Sequence, residues 1–229
     1  MRKILAAALI AACASTAQAT TYNDSVNDVN VQGNYWGFLD IVKTEVTNDA
    51  TDLSFKITVN GDTSGGDWGK YIILINDRPG GDTDNPQGNP SAWDRKWTMA
   101  AGADHFIGSW LDWGGGAQQF DYDGTAAWSA QANPTLTNTP GAQSMIEIKT
   151  SLASLGLSPT KVMCFDIGVT GGNQGDGAIE ALGNPAVNTN DWGIHSFTSG
   201  NQCYTVVPEP LTLGFLAFGA ATALRRRVR

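Results

Sequence analysis

At 229 residues the chain has room for a sizeable core, and its formal net charge of −8 excludes nucleic acid and anionic membrane surfaces as natural partners. Its 18 aspartates outnumber its four glutamates, and 27 glycines accompany them. That balance favours turn-rich β structure over a helical bundle, because Asp and Gly suit turns while Glu suits helices.

In chain order, Met1-Arg2-Lys3 is a basic start, Ile4 to Ala12 is apolar, and Ala17-Gln18-Ala19 is a small-residue cleavage pattern. This predicts a secretory signal peptide over 1–19, cut after Ala19. Ile10-Ala11-Ala12-Cys13 resembles a lipobox, the competing reading, which would lipidate Cys13. Thr20 to Asn34 is polar and extended. Gly37 to Val46 and Leu53 to Val59 predict a hairpin around Asn48-Asp49-Ala50. In its second strand Leu53, Phe55, Ile57 and Val59 alternate with Ser54, Lys56 and Thr58. Tyr71 to Ile75 is continuously apolar, as expected of a strand covered on both faces. Asn76 to Asp94 is a long Pro- and Gly-rich loop, long enough to be functional.

Beyond it, His105 to Leu111 and Gln118 to Tyr122 read as strands either side of Gly114-Gly115-Gly116, and Trp128 follows the Asp123-Gly124 turn. Ala132 to Ala142 reads as a loop, Ser144 to Lys149 as a strand and Ser151 to Leu157 as a helix of at most two turns. Val162 to Val169 and Gln202 to Val207 are the last clear strands, with a glycine-rich loop over Gly171 to Gly177 and an ambiguous stretch from Ile179 to Asn190. The expected core, 20–206, is all-β: an antiparallel, jelly-roll-like β-sandwich with long loops. It carries 8 basic against 21 acidic side chains, a net charge of −13.

The tripeptide Asp-Trp-Gly occurs three times, at Asp67-Trp68-Gly69, Asp112-Trp113-Gly114 and Asp191-Trp192-Gly193, with separations of 45 and 79 that exclude a fixed repeat. An indole flanked by Asp and Gly suits a loop mouth, where sugar rings lay C–H faces on the indole and carboxylates take hydroxyls. The candidate ligand-binding residues are therefore Trp68, Trp110, Trp113, Trp192, Asp67 and Asp112. The opposing reading makes these tryptophans plugs for the open ends of the sandwich.

Two cysteines, Cys164 and Cys203, remain in the core, and an even number in an exported chain predicts one disulfide; two buried thiols are the alternative. Asp77, Asp82, Asp84 and Asn85 gather oxygen donors in the long loop, a candidate calcium site without EF-hand spacing, set against a solvated acidic loop. No Gly-x-Ser-x-Gly elbow, His-Glu-x-x-His helix or phosphate loop is present, so a non-catalytic role is expected, with a structural or adhesive matrix protein as the alternative and a glycoside hydrolase, using an Asp–Glu pair drawn from Glu45, Glu147 or Glu180, as a further one.

The C-terminus, 207–229, combines Pro208-Glu209-Pro210, an apolar run over 211–224 and a basic end containing Arg225, Arg226 and Arg227. Fourteen helical residues reach about 21 Å, short of a ~30 Å hydrocarbon core, and the arginines favour the cytoplasmic side. This order of parts resembles the PEP-CTERM sorting signal. The resemblance implies a Gram-negative bacterium, a short transmembrane helix held transiently in the inner membrane and an exosortase that removes it. It also implies a destination at the cell surface or in the extracellular matrix, often alongside exopolysaccharide.

The core also resembles β-sandwich domains related to family 9 carbohydrate-binding modules and DOMON-type domains. The resemblance is carried by Leu39-Asp40-Ile41, Gly66-Asp67-Trp68-Gly69-Lys70-Tyr71 with Asp77, and Phe106 to Trp110. Further along, Tyr122-Asp123-Gly124, Ile146-Glu147-Ile148 and Phe165-Asp166-Ile167 continue it. It implies binding of a glycan or polysaccharide or, in some relatives, of haem through Met and His. His105 and His195, with Met99, Met145 or Met163, are the residues of those types here.

Overall fold

The structure is a computed structural model and describes residues 19–29, 31, 33–65, 67–83, 93–125, 127–183 and 191–208. Residues 1–18 of the signal peptide, Asp84, Asn85 and the sorting motif from Glu209 onward lie outside them. Among the described residues no helix is long and apolar enough to cross a membrane.

Two antiparallel sheets form the body. The first has the order β1 (Thr20–Asn23), β2 (Ile41–Asn48), β3 (Asp52–Val59), β10 (Ser144–Ser151) and β9 (Thr135–Thr139). The second runs β12 (Ala178–Ala181), β11 (Val162–Thr170), β4 (Lys70–Asn76), β6 (His105–Trp110), β7 (Gly116–Tyr122) and β8 (Trp128–Ala130). Strand β14 (Gln202–Thr205) pairs with the first half of β11, and β12 pairs with its second half. A small parallel pair joins β5 (Trp97–Met99) to β13 (Ser196–Thr198).

The alternation read in 53–59 faces Phe55, Ile57 and Val59 inward, opposite Ile148 and Ile146 of β10. They meet Tyr71, Ile73, Ile75, Phe165, Ile167 and Val169 from the second sheet in one core, so the two sheets make a sandwich. The other face of the second sheet is also covered. Ile72 and Leu74 of β4 join Phe106, Trp93, Trp97, Met99 and Trp128 in a second core. The continuous apolar run from Tyr71 to Ile75 follows from that double burial. Glycines make room for the covering indoles: a Cβ on Gly108 would come within 2.6 Å of the Trp93 ring, and one on Gly168 within 2.9 Å of Trp97.

The structure changes three expected elements. Residues Gly37–Leu39 form a 3-10 turn and the strand begins at Ile41, because Gly37 lies so close to the chain at Asn60 that a Cβ would meet its carbonyl oxygen. The stretch read as a loop at 132–142 contains β9, an edge strand whose polar Thr and Asn faces give almost no apolar alternation. The helix expected over 151–157 is instead the end of β10 followed by tight turns. Gly156 there adopts φ +61 and Pro159 follows, while Leu152, Leu155 and Leu157 still reach the core.

Cys164 and Cys203 are directly opposite in the β11–β14 register and form a disulfide.

Candidate functional site

The Asp-Trp-Gly triplets are first a folding device. Asp67 Oδ1 accepts the N–H of Gly69 at 2.7 Å, and Asp191 Oδ1 accepts that of Gly193 at 2.8 Å. In both, the aspartate caps the backbone two residues on, an Asx turn, and the tryptophan sits at the bend. The third copy is built differently. Gly115 N–H bonds the Asp112 carbonyl, Trp113 takes φ 53, and the Asp112 carboxylate is held by Lys70 Nζ at 2.9 and 3.1 Å. Lys70 also donates to the Trp68 carbonyl at 2.8 Å, so one ammonium fastens two of the three triplets together.

The carboxylates read as hydroxyl ligands are thus already engaged. Asp67 is buried, and the Tyr71 hydroxyl lies 2.5 Å from its Oδ2 and 2.6 Å from the Phe38 carbonyl. Burial pushes the Asp67 pKa up to about 6, although the bonds from Tyr71 and Gly69 oppose it. Asp67 is a structural acid inside the sandwich. Asp112 is an anchor for the β6–β7 turn.

The four candidate tryptophans fall into three places. Trp68 and Trp192 meet edge to face, with centroids 5.4 Å apart. Trp36 packs on Trp68 at 5.8 Å, and Phe38 lies 5.7 Å from Trp68, so four aromatic rings form one cluster at an end of the sandwich. Trp36 is 38% exposed and neighbouring Tyr35 46%. Trp110 lies apart from them, with its ring 6.0 Å from Trp93 beside the second core and packed over Gly116. Trp113 stands out into solvent at 96% exposure. Of the remaining tryptophans, Trp93, Trp97 and Trp128 are buried, as end plugs and sheet covers would be.

The candidate calcium loop is arranged otherwise. The buried Asp77 carboxylate has Lys161 Nζ at 2.5 Å, His105 Nε2 at 3.3 Å and Arg78 at 3.7 Å. Asp82 accepts the Trp128 indole N–H at 2.9 Å and exchanges backbone bonds with Ala103. Cations surround Asp77, which disfavours another cation there. The residues of haem-ligating type are likewise engaged: His105 Nδ1 lies 2.7 Å from Asp121, and His195 Nε2 lies 2.8 Å from the Thr98 hydroxyl with its ring stacked on Phe197.

A different set of carboxylates converges. Asp28, Asp40 and Glu180 bring oxygens within 4.8 Å of one another. The sequence offered no spacing to find it: Glu180 is 140 residues from Asp40, and only the meeting of the two sheet edges joins them. Trp36 was likewise passed over, since no Asp-Trp-Gly frame marks it.

No known protein-family profile matches this chain, and no curated protein matches it. Among solved structures it is similar to a carbohydrate binding module family 9 (CBM9) from Caldicellulosiruptor kristjanssonii in complex with glucose. The identity is 11%, over 65% of this chain and 72% of that one, with a TM-score of 0.27.

Proposed function

We propose that this is an exported surface or matrix protein whose β-sandwich binds a glycan without covalent chemistry. The observation that carries the reading is Trp113. A tryptophan held almost fully in solvent, at a positive φ that favours glycine, adds nothing to the packing of the fold, and its bare indole is left open to a ligand. Its turn is rigidly mounted by Lys70 and Asp112, close to the carbonyl of Trp68 and hence to the aromatic end. Indole faces suit the C–H faces of sugars, and a core of net charge −13 suits neutral rather than acidic polymers.

Export is the second part of the proposal. The Cys164–Cys203 bridge fits an oxidising compartment. The Pro208-Glu209-Pro210 motif with its apolar run and arginines fits transient anchoring and exosortase removal. The rival reading is an adhesive matrix protein without a small ligand. Phe197, 57% exposed, and Ile194, 40% exposed, favour it as apolar protein-docking points.

A glycan array probed with the purified, disulfide-intact protein tests the first part. Binding that falls at least tenfold in Trp113→Ala or Trp36→Ala supports the glycan reading and locates its surface. A blank array from folded protein moves the role to protein adhesion. Export and processing are tested by expressing the chain with and without an exosortase and comparing the mass of the released product.

A further inference from the structure

The edges of the two sheets meet at a group of acids that, among the described residues, no base neutralises. Asp24 and Asp28 lie in the loop after β1, the edge strand of the first sheet, and Asp40 immediately precedes β2. Glu180 lies on β12, at the edge of the second sheet. Asp40 has no solvent exposure and Glu180 has 4%.

Each acid is anchored or shielded so that one oxygen is left over. Asp40 Oδ2 accepts the backbone N–H of Asn27 at 2.8 Å, the Tyr35 hydroxyl at 2.6 Å and the Asn60 amide at 3.2 Å, while its Oδ1 has no partner. Glu180 Oε1 accepts the Ala181 N–H at 2.8 Å, while its Oε2 has none. Asp24 Oδ1 accepts the Ser25 N–H at 2.8 Å. Asp24 Oδ2 and Asp28 Oδ1 are buried without a donor. Asn27 adopts φ 67 to present its N–H to Asp40. Four carboxylate oxygens are therefore buried without a hydrogen-bond donor, and the charges that act on Glu180 are Asp24, Asp28 and Asp40, all of its own sign. Buried carboxylates left without a donor in this way are unfavourable as anions, and a cation shared between them relieves that cost.

We infer that Asp28, Asp40 and Glu180 form a calcium site, with Asp24 beside Glu180 as a further oxygen donor, and that the ion clips the open edges of the two sheets together. The donor set is all oxygen and all carboxylate, which suits a hard cation and excludes the thiolate and imidazole metals. Backbone carbonyls and water complete the six to eight oxygens that calcium takes. The ion's second effect is on the segment Tyr35–Asp40, which carries Trp36 and Phe38 and is tied to Asp40 through the Tyr35 hydroxyl.

The test is calorimetric titration of Ca²⁺ into the purified protein after stripping with EGTA, with thermal unfolding followed in parallel. The expected result is one ion per chain with a dissociation constant at or below about 10 μM, and a higher melting temperature with calcium. Glu180→Gln removes one like charge, so it should lower calcium affinity more than tenfold yet melt at or above the wild-type temperature in EGTA. That opposite pair of signs is not expected of a merely structural glutamate. Asp28→Asn, on a half-buried loop position, gives the same affinity readout should Glu180→Gln fail to fold. No uptake by stripped wild-type protein, or unchanged affinity in the folded variants, overturns the site.

Discussion

Lys70 on β4 grips Asp112 on the next turn of its sheet through both carboxylate oxygens, at 2.9 and 3.1 Å. Both side chains are partly shielded, so the pair ranks above an ordinary surface ion pair. Lys70→Met should cost about 1 to 2 kcal/mol in urea unfolding. It should also free the turn that carries Trp113, so any glycan retention that Trp113 supplies should fall in this variant although Lys70 need not touch the ligand. Retention unchanged by Lys70→Met would separate Trp113 from the binding surface.

Trp113 itself gives a sharper comparison. Trp113→Gly should stabilise the protein by about 1 kcal/mol, because glycine adopts φ 53 without strain. Trp113→Ala keeps the strain and should change stability by less than about 0.5 kcal/mol. Both remove the ring, so both should abolish any binding it supplies. Stability and binding moving together in the two variants would refute the separation of roles.

Asp67 predicts a pH dependence. Burial raises its pKa from 3.8 to about 6, so its contribution to stability is fully present below about pH 4 and is lost as pH rises through about 6. Asp67→Asn cannot ionise. The stability of the variant relative to wild type should therefore improve between pH 4 and pH 7.5 by about 2 to 3 kcal/mol, measured by urea unfolding at both values. A constant difference would show that Asp67 keeps an ordinary pKa. Tyr71→Phe should cost about 1 to 3 kcal/mol, since it leaves both the Phe38 carbonyl and Asp67 without their buried partner.

His105 and Asp77 bracket a second window. Burial alone would lower the His105 pKa, but Asp121 and Asp77 outweigh it and the net shift is upward. Its contribution is therefore present below about pH 6.5 and is lost as pH rises through the raised value. Burial works against ionised Asp77 too, but His105 and Lys161 hold its pKa below the usual carboxylate range, so its contribution is lost as pH falls below about 4. His105→Gln should cost about 3 kcal/mol at pH 6 and distinctly less at pH 9. An equal cost at both values would mean that the imidazole acts through packing alone.

Much of the sandwich is legible in the sequence because burial leaves a period. Leu53 to Val59 alternates, Tyr71 to Ile75 is solid, and both patterns meet their expected faces. Strand β9 was hidden because an exposed edge needs no apolar face, and β5 and β13 because three residues are too few to show a repeated alternation. The disulfide was legible once only two core cysteines remained. The candidate site was legible only in part. The Asp-Trp-Gly triplets did mark the bends that display Trp68, Trp113 and Trp192. The role of their acids did not show, because an aspartate that caps its own glycine and one that awaits a ligand have the same letter. The carboxylate cluster was illegible for another reason: its members come together only when both sheet edges are in place.

The exit of the chain has a mechanical consequence. Asn48 on the first sheet clasps Val207 from both sides, accepting its N–H at 2.8 Å and donating to its carbonyl at 2.9 Å, while Val206 donates its N–H to the carbonyl of Lys161 and accepts that of Thr160. Four residues upstream of Val207, Cys203 is covalently joined to β11. A pull on the tail therefore loads both sheets at once through hydrogen bonds, and once these yield, peeling stops at a covalent rivet. Force applied to the chain beyond Val207 would tear out a few residues and leave the sandwich intact.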